Sequence, residues 1–242
     1  MRADRLLAGA ALALALAACG PGSPPAQAEA PPGLAAERFP RPHRPVAPIV
    51  SDQWASEDSR ERLGEAEAVI NLLDIRAGMT VADIGAGAGY YVGRLSRRVG
   101  PEGRVIAQDV ERRYLERLRG RVARERWANV SLVLGAPHDP RLPPRSVDVA
   151  LLVHMYHEIA QPFGLLANLA GAMKPGGRVA ILDVDGPIPA HGTPQALLRC
   201  ELAAVGFAEV GFHRLADAYV AVFEARGPRP APAAIRPCAA PR

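Results

Sequence analysis

Two carboxylates and three glycines in the first half of the chain have the types and spacing to hold a nucleoside-like ligand. Val81-Ala82-Asp83-Ile84 is a short apolar run with Asp83 near its end. Gly85, Gly87 and Gly89 follow at every second position, with Ala86 and Ala88 between them. Glycine allows a sharp turn and lets a ligand lie against main-chain N–H groups. Tyr91, Val92, Leu95 and Val99 then recur at helical spacing, so the stretch reads as strand, tight turn, helix. The helix N-terminus adds positive potential at the same place. Asp109 stands just past a second apolar run, at a spacing from the glycines where a carboxylate accepts both hydroxyls of a ribose. Val110 beside it suits the edge of a base. Asp109 also fits as the N-cap of the helix that follows, and the two roles are compatible.

A second group of reactive side chains follows the apolar run Val149–Val153. It reads His154-Met155-Tyr156-His157-Glu158. His154, Tyr156 and His157 are suitable by type for moving a proton. The spacing H-x-x-H-E lacks a confirming third ligand, so no metal is expected. Asp183, Asp185 and His191 belong to the same edge of the predicted sheet, where they line a pocket or cap a loop. Gly135 and Ala136, ahead of His138 and Asp139, end another predicted strand.

The glycine pattern is not the dinucleotide fingerprint, because Tyr90 stands where that motif has its third glycine. The pattern here, D-x-G-x-G-x-G, resembles motif I of the class I S-adenosylmethionine-dependent methyltransferases. The resemblance runs from about Ser51 to about Ala225. It implies a Rossmann-like, doubly wound α/β fold: a mostly parallel seven-stranded sheet with a terminal antiparallel strand pair. It implies S-adenosyl-L-methionine as cofactor, held by Asp83, Gly85, Ala86, Gly87, Gly89, Asp109, Val110, Gly135 and Ala136. Asp83 would meet the methionine end and Asp109 the ribose. Many relatives carry an acidic residue where this chain has Ala136, so backbone groups of Gly135 and Ala136, or the Asp139 carboxylate, would serve the adenine instead. The segment His154–His157 would face the transferable methyl. The reaction implied is methyl transfer to a small-molecule acceptor, since no large insertion provides a recognition domain. The alternative is a non-catalytic methyltransferase-like binding module at the cell envelope.

The elements that must position these groups are legible from periodicity. Leu63, Ala66, Val69, Ile70 and Leu73 form a leading helical face. Strands are predicted at Thr80–Ile84, Arg104–Gln108, Val130–Leu134, Val147–Val153 and Arg178–Val184. Helices are predicted over Glu111–Arg126 and Phe163–Met173, with Lys174-Pro175-Gly176-Gly177 as a turn. Thr193 and Pro194 open a further helix, and Phe207–Phe212 with Tyr219–Glu224 close the fold. Trp54, in the lead segment, is either a lid residue or plain packing. The Arg-rich helix alternates with Glu111, Glu116 and Glu125, which marks a solvent face and no nucleic-acid partner.

The chain divides into a signal peptide with lipobox (1–19), a Pro/Ala-rich tether (20–50), the methyltransferase-like domain (51–225) and a disordered tail (226–242). Arg2 and Arg5 precede an apolar run from Leu6 to Ala18, short for a membrane span and suited to a signal peptide. Leu16-Ala17-Ala18-Cys19 resembles the bacterial lipobox, which implies lipidation at Cys19, export and membrane anchoring at the periplasmic side of the envelope. If the signal is not used, the protein stays cytoplasmic. Of 242 residues 49% are hydrophobic, ample for one core, and the formal charge is +4. Cys200 and Cys238 remain as a pair that an oxidising compartment would permit to bond.

Overall fold

The computed structural model describes residues 30–50, 61–62, 64–215 and 217–239. Seven strands form one sheet: β1 (Thr80–Ile84), β2 (Arg104–Asp109), β3 (Val130–Leu134), β4 (Val147–Val153), β5 (Met173–Val184), β6 (Phe207–Leu215) and β7 (Ala218–Ala225). Their order is β3-β2-β1-β4-β5-β7-β6. β1 to β5 run parallel to one another, and β7 runs antiparallel to both β5 and β6. The helices are α1 (Glu65–Leu72), α2 (Tyr90–Val99), α3 (Arg112–Arg124), α4 (Pro162–Ala172) and α5 (Gln195–Ala204). This is the doubly wound α/β sheet with a terminal antiparallel pair that the sequence implies.

Alternation along the strands builds two cores. Ala82, Ile84, Ala150, Leu152 and Ile181 pack with Phe163, Leu166 and Leu169 of α4. Val81, Val105, Val149, Leu151 and Leu182 pack with Val69 and Ile70 of α1 and Val92 and Leu95 of α2. Strands sandwiched in this way must be apolar on both faces, which is why β4 reads as an unbroken hydrophobic run. Each fully buried Leu or Ile contributes about 1.5–3 kcal/mol. From β1 the chain proceeds to β2 and β3 on one side and to β4 and β5 on the other. The carboxyl ends of β1 and β4 therefore flank the crevice where open α/β sheets bind ligands.

Three expectations need correction. The Lys174–Gly177 turn lies inside β5 as a bulge, because Val147 pairs with Met173 whereas Val149 already pairs with Arg178. The N-cap of α5 is Pro194, one position later than the predicted Thr193, and the Thr193 hydroxyl is turned away to donate to Asp183 Oδ2 at 2.6 Å. The third correction concerns both flanks. Residues 30–50 of the expected tether are docked on the α4 side of the sheet as a strap. Gly33 N donates to Asp139 Oδ2 at 2.7 Å, Leu34 N to Asn168 Oδ1 at 2.8 Å, and Ala47 N to the His157 carbonyl at 3.0 Å. Phe39 is buried in the core cluster of α4. Part of the expected disordered tail is likewise ordered: Ile235 is buried, Arg229 Nη1 donates to the Ala167 carbonyl at 3.1 Å, and Ala239 bridges to His43. Cys238 forms a disulfide with Cys200, 38 residues earlier. A loop of that size stabilises by ~4 kcal/mol if unfolded-chain entropy is the main term. The leading residues Trp54 and Leu63, the lipobox and Cys19 lie outside the described residues. Among the described residues, no helix is long and apolar enough to cross a membrane.

A buried ion pair also anchors the strap. Arg44 Nε donates to Glu201 Oε1 at 2.9 Å, with both side chains fully buried. Arg44 Nη2 also donates to the carbonyls of Ile159 at 3.2 Å and Tyr156 at 3.4 Å. Burial raises the Glu201 pKa against the opposing pull of Arg44, so the carboxylate depends on that cation. Removing one partner of such a pair costs about 3–5 kcal/mol because the other charge is left buried alone. Arg44→Ala is therefore expected to lower the melting temperature by about 10 °C, read by scanning calorimetry. A shift below about 2 °C would mean that the pair does not hold the strap.

Candidate active site

The glycine turn hangs from the end of β2. Gly85 N and Ala86 N donate to the Gln108 carbonyl at 2.8 and 2.9 Å. Gly89 has φ +84° and N-caps α2, and a Cβ there would lie 2.3 Å from Leu118 Cδ1. Both the left-handed backbone and the close approach of α3 demand glycine at this position. Gly85, at φ +73°, lies under the Met155 side chain, whose Cγ would be 3.1 Å from a Cβ.

Asp109 ends β2 and fixes the turn. Its Oδ2 accepts Gly87 N at 2.9 Å and its Oδ1 accepts Glu111 N at 2.8 Å. The second bond reaches Glu111, which is itself the N-cap of α3, so Asp109 is not the N-cap the sequence suggests; it lies two residues earlier and fixes the approach to the helix. Burial raises the Asp109 pKa, against the amides of Glu111, Gly87 and Val110. A carboxylate offers about four lone-pair sites, so these amides leave Asp109 capacity for a further donor. Asp83 is buried in β1, next to Ala107 of β2 and Leu151 of β4, at the crevice end of the strand. Val110 is half-buried beside Asp109.

The end of β3 is organised differently from the sequence reading. Ala136 and Asp139 close on each other through paired backbone bonds of 2.8 and 3.0 Å. The Asp139 carboxylate accepts Gly33 N and Arg141 N, the latter at 2.8 Å, so it anchors the strap and does not reach towards a base. Gly135 N donates to the Asp109 carbonyl at 3.0 Å. The Gln108 amide nitrogen is buried with no hydrogen-bond partner among the described residues, 2.1 Å from where a Gly135 Cβ would stand. The sequence reading missed it because Gln in a strand interior carries no motif.

Beyond β4 the chain leaves the sheet sharply. His154 has φ +50°, a left-handed conformation that His tolerates better than most residues. Its Nε2 lies 3.0 Å from Glu65 Oε2 in α1, and Glu65 Oε1 accepts the Tyr91 hydroxyl at 3.0 Å. Glu65 is a further member of the site, and periodicity alone shows it only as a polar residue on a helix. His157 is 2% exposed, and its Nδ1 lies 3.0 Å from Asp183 Oδ2 at the end of β5. Asp183 also accepts the Thr193 hydroxyl and Val184 N, so its position is fixed on three sides. Glu158 Oε1 accepts Val50 N from the strap at 3.2 Å, and burial raises its pKa. Charge on Asp109 adds to that rise, which brings the glycine turn and this cluster within electrostatic reach.

Tyr156 is withdrawn as a candidate for proton transfer. The short 3-10 turn Tyr156–Glu158 points successive side chains in different directions. The Tyr156 ring is fully buried, its hydroxyl donates to Glu201 Oε2 at 2.8 Å, and desolvation pushes its pKa well above the ordinary range. It braces the strap. The structure also changes the metal reading of this segment: His191 brings its ring to 5.2 Å from that of His157, at right angles. His191 stands in the loop after β5, which the sequence reading had placed at this edge.

With this geometry in place, comparisons with known proteins are consistent with it. Residues 81–177 match a methyltransferase domain family. The chain is 32% identical over 114 residues to the protein-L-isoaspartate O-methyltransferase of Methanothrix thermoacetophila, covering 46% of this chain and 50% of that one. It is 31% identical over 123 residues to a ubiquinone/menaquinone biosynthesis C-methyltransferase of Idiomarina loihiensis, covering 50% and 49%. The chain thus spans about half the length of these curated relatives. Among solved structures it resembles a SAM-dependent methyltransferase from Aquifex aeolicus, with a TM-score of 0.61 and 24% identity over 70% of this chain and 98% of that one.

Proposed function

We propose, from the match of residues 81–177 to a methyltransferase domain family, that the protein transfers a methyl group from S-adenosylmethionine to a small-molecule acceptor. The observation that carries the reading is the Asp109 carboxylate, fixed by Gly87 N and Glu111 N at the carboxyl end of β2. A ribose needs an acceptor pair there, and Asp109 keeps the lone pairs to supply it. Asp83 stands where the methionine end would lie, the Cβ-free backbone of the Gly85–Gly89 turn would let the cofactor lie close against it, and Val110, Gly135 and Ala136 would border the base. The cofactor supplies a methyl group already activated on a sulfonium, so the protein contributes chiefly position. His154, oriented by Glu65, takes the acceptor's proton where the acceptor must lose one; His157, oriented by Asp183, completes the acceptor wall.

Asp109→Asn removes the charge and one acceptor oxygen while preserving size. Charge-assisted hydrogen bonds contribute about 1.5–3 kcal/mol each, so S-adenosylmethionine should bind at least about tenfold more weakly to this variant. Calorimetric titration into wild type and variant, with circular dichroism as the fold control, reads this directly; equal affinities would contradict the assignment. Wild-type affinity should also fall on acidification, because the protonated carboxyl loses an acceptor. Since burial places the Asp109 pKa above the ordinary Asp value, the fall begins at higher pH than for an exposed Asp. The ligand-free chain responds in the opposite sense. A folded-state pKa above the unfolded one favours the protonated native form, so this group's contribution to stability is present at low pH and is lost as pH rises through the folded value.

We further propose that the chain is exported and lipid-anchored through Cys19. The Cys200–Cys238 disulfide supports this, since such bonds persist in oxidising compartments. Cys19→Ser should move the protein from the membrane fraction to the soluble fraction of the cell envelope. An unchanged distribution would contradict the anchor.

A further inference from the structure

We propose that His157, Glu158 and His191 form a binding site for one divalent transition-metal ion of the zinc type. Each offers one ligand atom, and the three atoms lie within 4.8 Å of one another. A zinc ion bonds nitrogen and carboxylate oxygen at about 2.0–2.2 Å, which at tetrahedral angles sets the ligand atoms about 3.4 Å apart. Small side-chain rotations close that difference.

The surroundings of the three residues are those of a built site. His157 Nδ1 is committed to Asp183, at 3.1 and 3.0 Å from its two oxygens, which leaves Nε2 as the ligating nitrogen. A carboxylate on the far side of a ligating imidazole fixes its tautomer and ring orientation and raises its basicity. Asp183 is itself held by the Thr193 hydroxyl at 2.6 Å and Val184 N at 2.9 Å, so the support extends one layer further. His191 is delivered by a pinched loop. Thr193 N donates to the Val184 carbonyl at 2.8 Å, Gly192 N donates to the Pro187 carbonyl, and a Cβ on Gly192 would lie 2.9 Å from the Gly186 Cα. His191 has φ +56°, which turns it out of the preceding 3-10 turn. The strap fixes Glu158 from the other side, through Val50 N on Oε1, and leaves Oε2 to ligate.

Two imidazoles and one carboxylate select against calcium and magnesium, which want oxygen ligands, and suit zinc, cobalt, nickel or iron. Three protein ligands leave a fourth position open, as in sites that bind a reacting molecule. That position belongs to the β4 and β5 ends of the crevice, on the acceptor side. If the methyl-transfer reading holds, the acceptor class is then a hydroxyl or thiol compound that coordinates the ion and loses its proton more readily there. This consequence rests on that reading; the binding of the ion does not.

The test uses the full-length chain, stripped of metal with a chelator and dialysed. Co2+ is titrated in and followed by its visible ligand-field bands, then displaced with Zn2+. One equivalent of Co2+ should produce the bands and one equivalent of Zn2+ should abolish them. His191→Ala and Glu158→Gln should each weaken Zn2+ binding at least tenfold while keeping the far-ultraviolet spectrum and melting temperature of the metal-free wild type. Absence of a stoichiometric Co2+ spectrum, or Zn2+ affinity unchanged in both variants, would overturn the site. S-adenosylmethionine titrated into the same metal-free sample separates the two claims: cofactor binding without metal binding removes this inference alone.

Discussion

The Asp109 carboxylate is the constraint from which the site is built. It is taken out of water at the end of β2, and burial raises its pKa accordingly. Backbone amides offset that cost, among them Gly87 N from the glycine turn and Glu111 N from the N-cap of α3. Because the amides come from different elements, the same interaction that keeps the charge tolerable also sets β1, β2, α2 and α3 relative to one another. Gly89 must then have no side chain, since Leu118 of α3 occupies the space where a Cβ would be. The motif residues and the packing of the helices behind them are parts of one arrangement.

A second layer is imposed from outside the central domain. The strap at 30–50 contributes amides to Asp139, Asn168, Glu158 and the His157 carbonyl, and Arg44 enters the core to meet Glu201. The tail, stapled by Cys200–Cys238, bridges to the strap at His43. Ala47, Ile188, Leu197 and Cys238 form a small apolar cluster that joins strap, loop, helix and tail. The segment after β4 is thereby clamped between the sheet and the strap. His157 and Glu158 receive their backbone and side-chain partners from that clamp, so the acceptor side of the crevice depends on residues far away in sequence.

Much of the fold was legible because its signals are local. Strands sandwiched between helices must be apolar on both faces, so Val149–Val153 announces itself, and Asp83 and Asp109 stand at the ends of such runs. The strap was not legible, because an Ala- and Pro-rich segment has no period, and its anchors are single residues whose partners lie as far as 157 positions away. Tyr156 misled for the opposite reason: it neighbours His157 in sequence, but a 3-10 turn sends the two side chains to different places. His191 was placed at the correct edge, yet its approach to His157 comes from the closure of the loop after β5, which no spacing rule expresses.

The central claim is that the crevice between β1 and β4 holds S-adenosylmethionine through the turn that Asp109 fixes. The most direct measurement is a crystal structure of the full-length protein grown with S-adenosylhomocysteine, the product of methyl transfer. The account predicts the ribose hydroxyls on the Asp109 carboxylate, the methionine end beside Asp83 and the Gly85–Gly89 turn, and the sulfur facing His154. Ligand bound elsewhere, or a well-ordered crevice without ligand at saturating concentration, would contradict it.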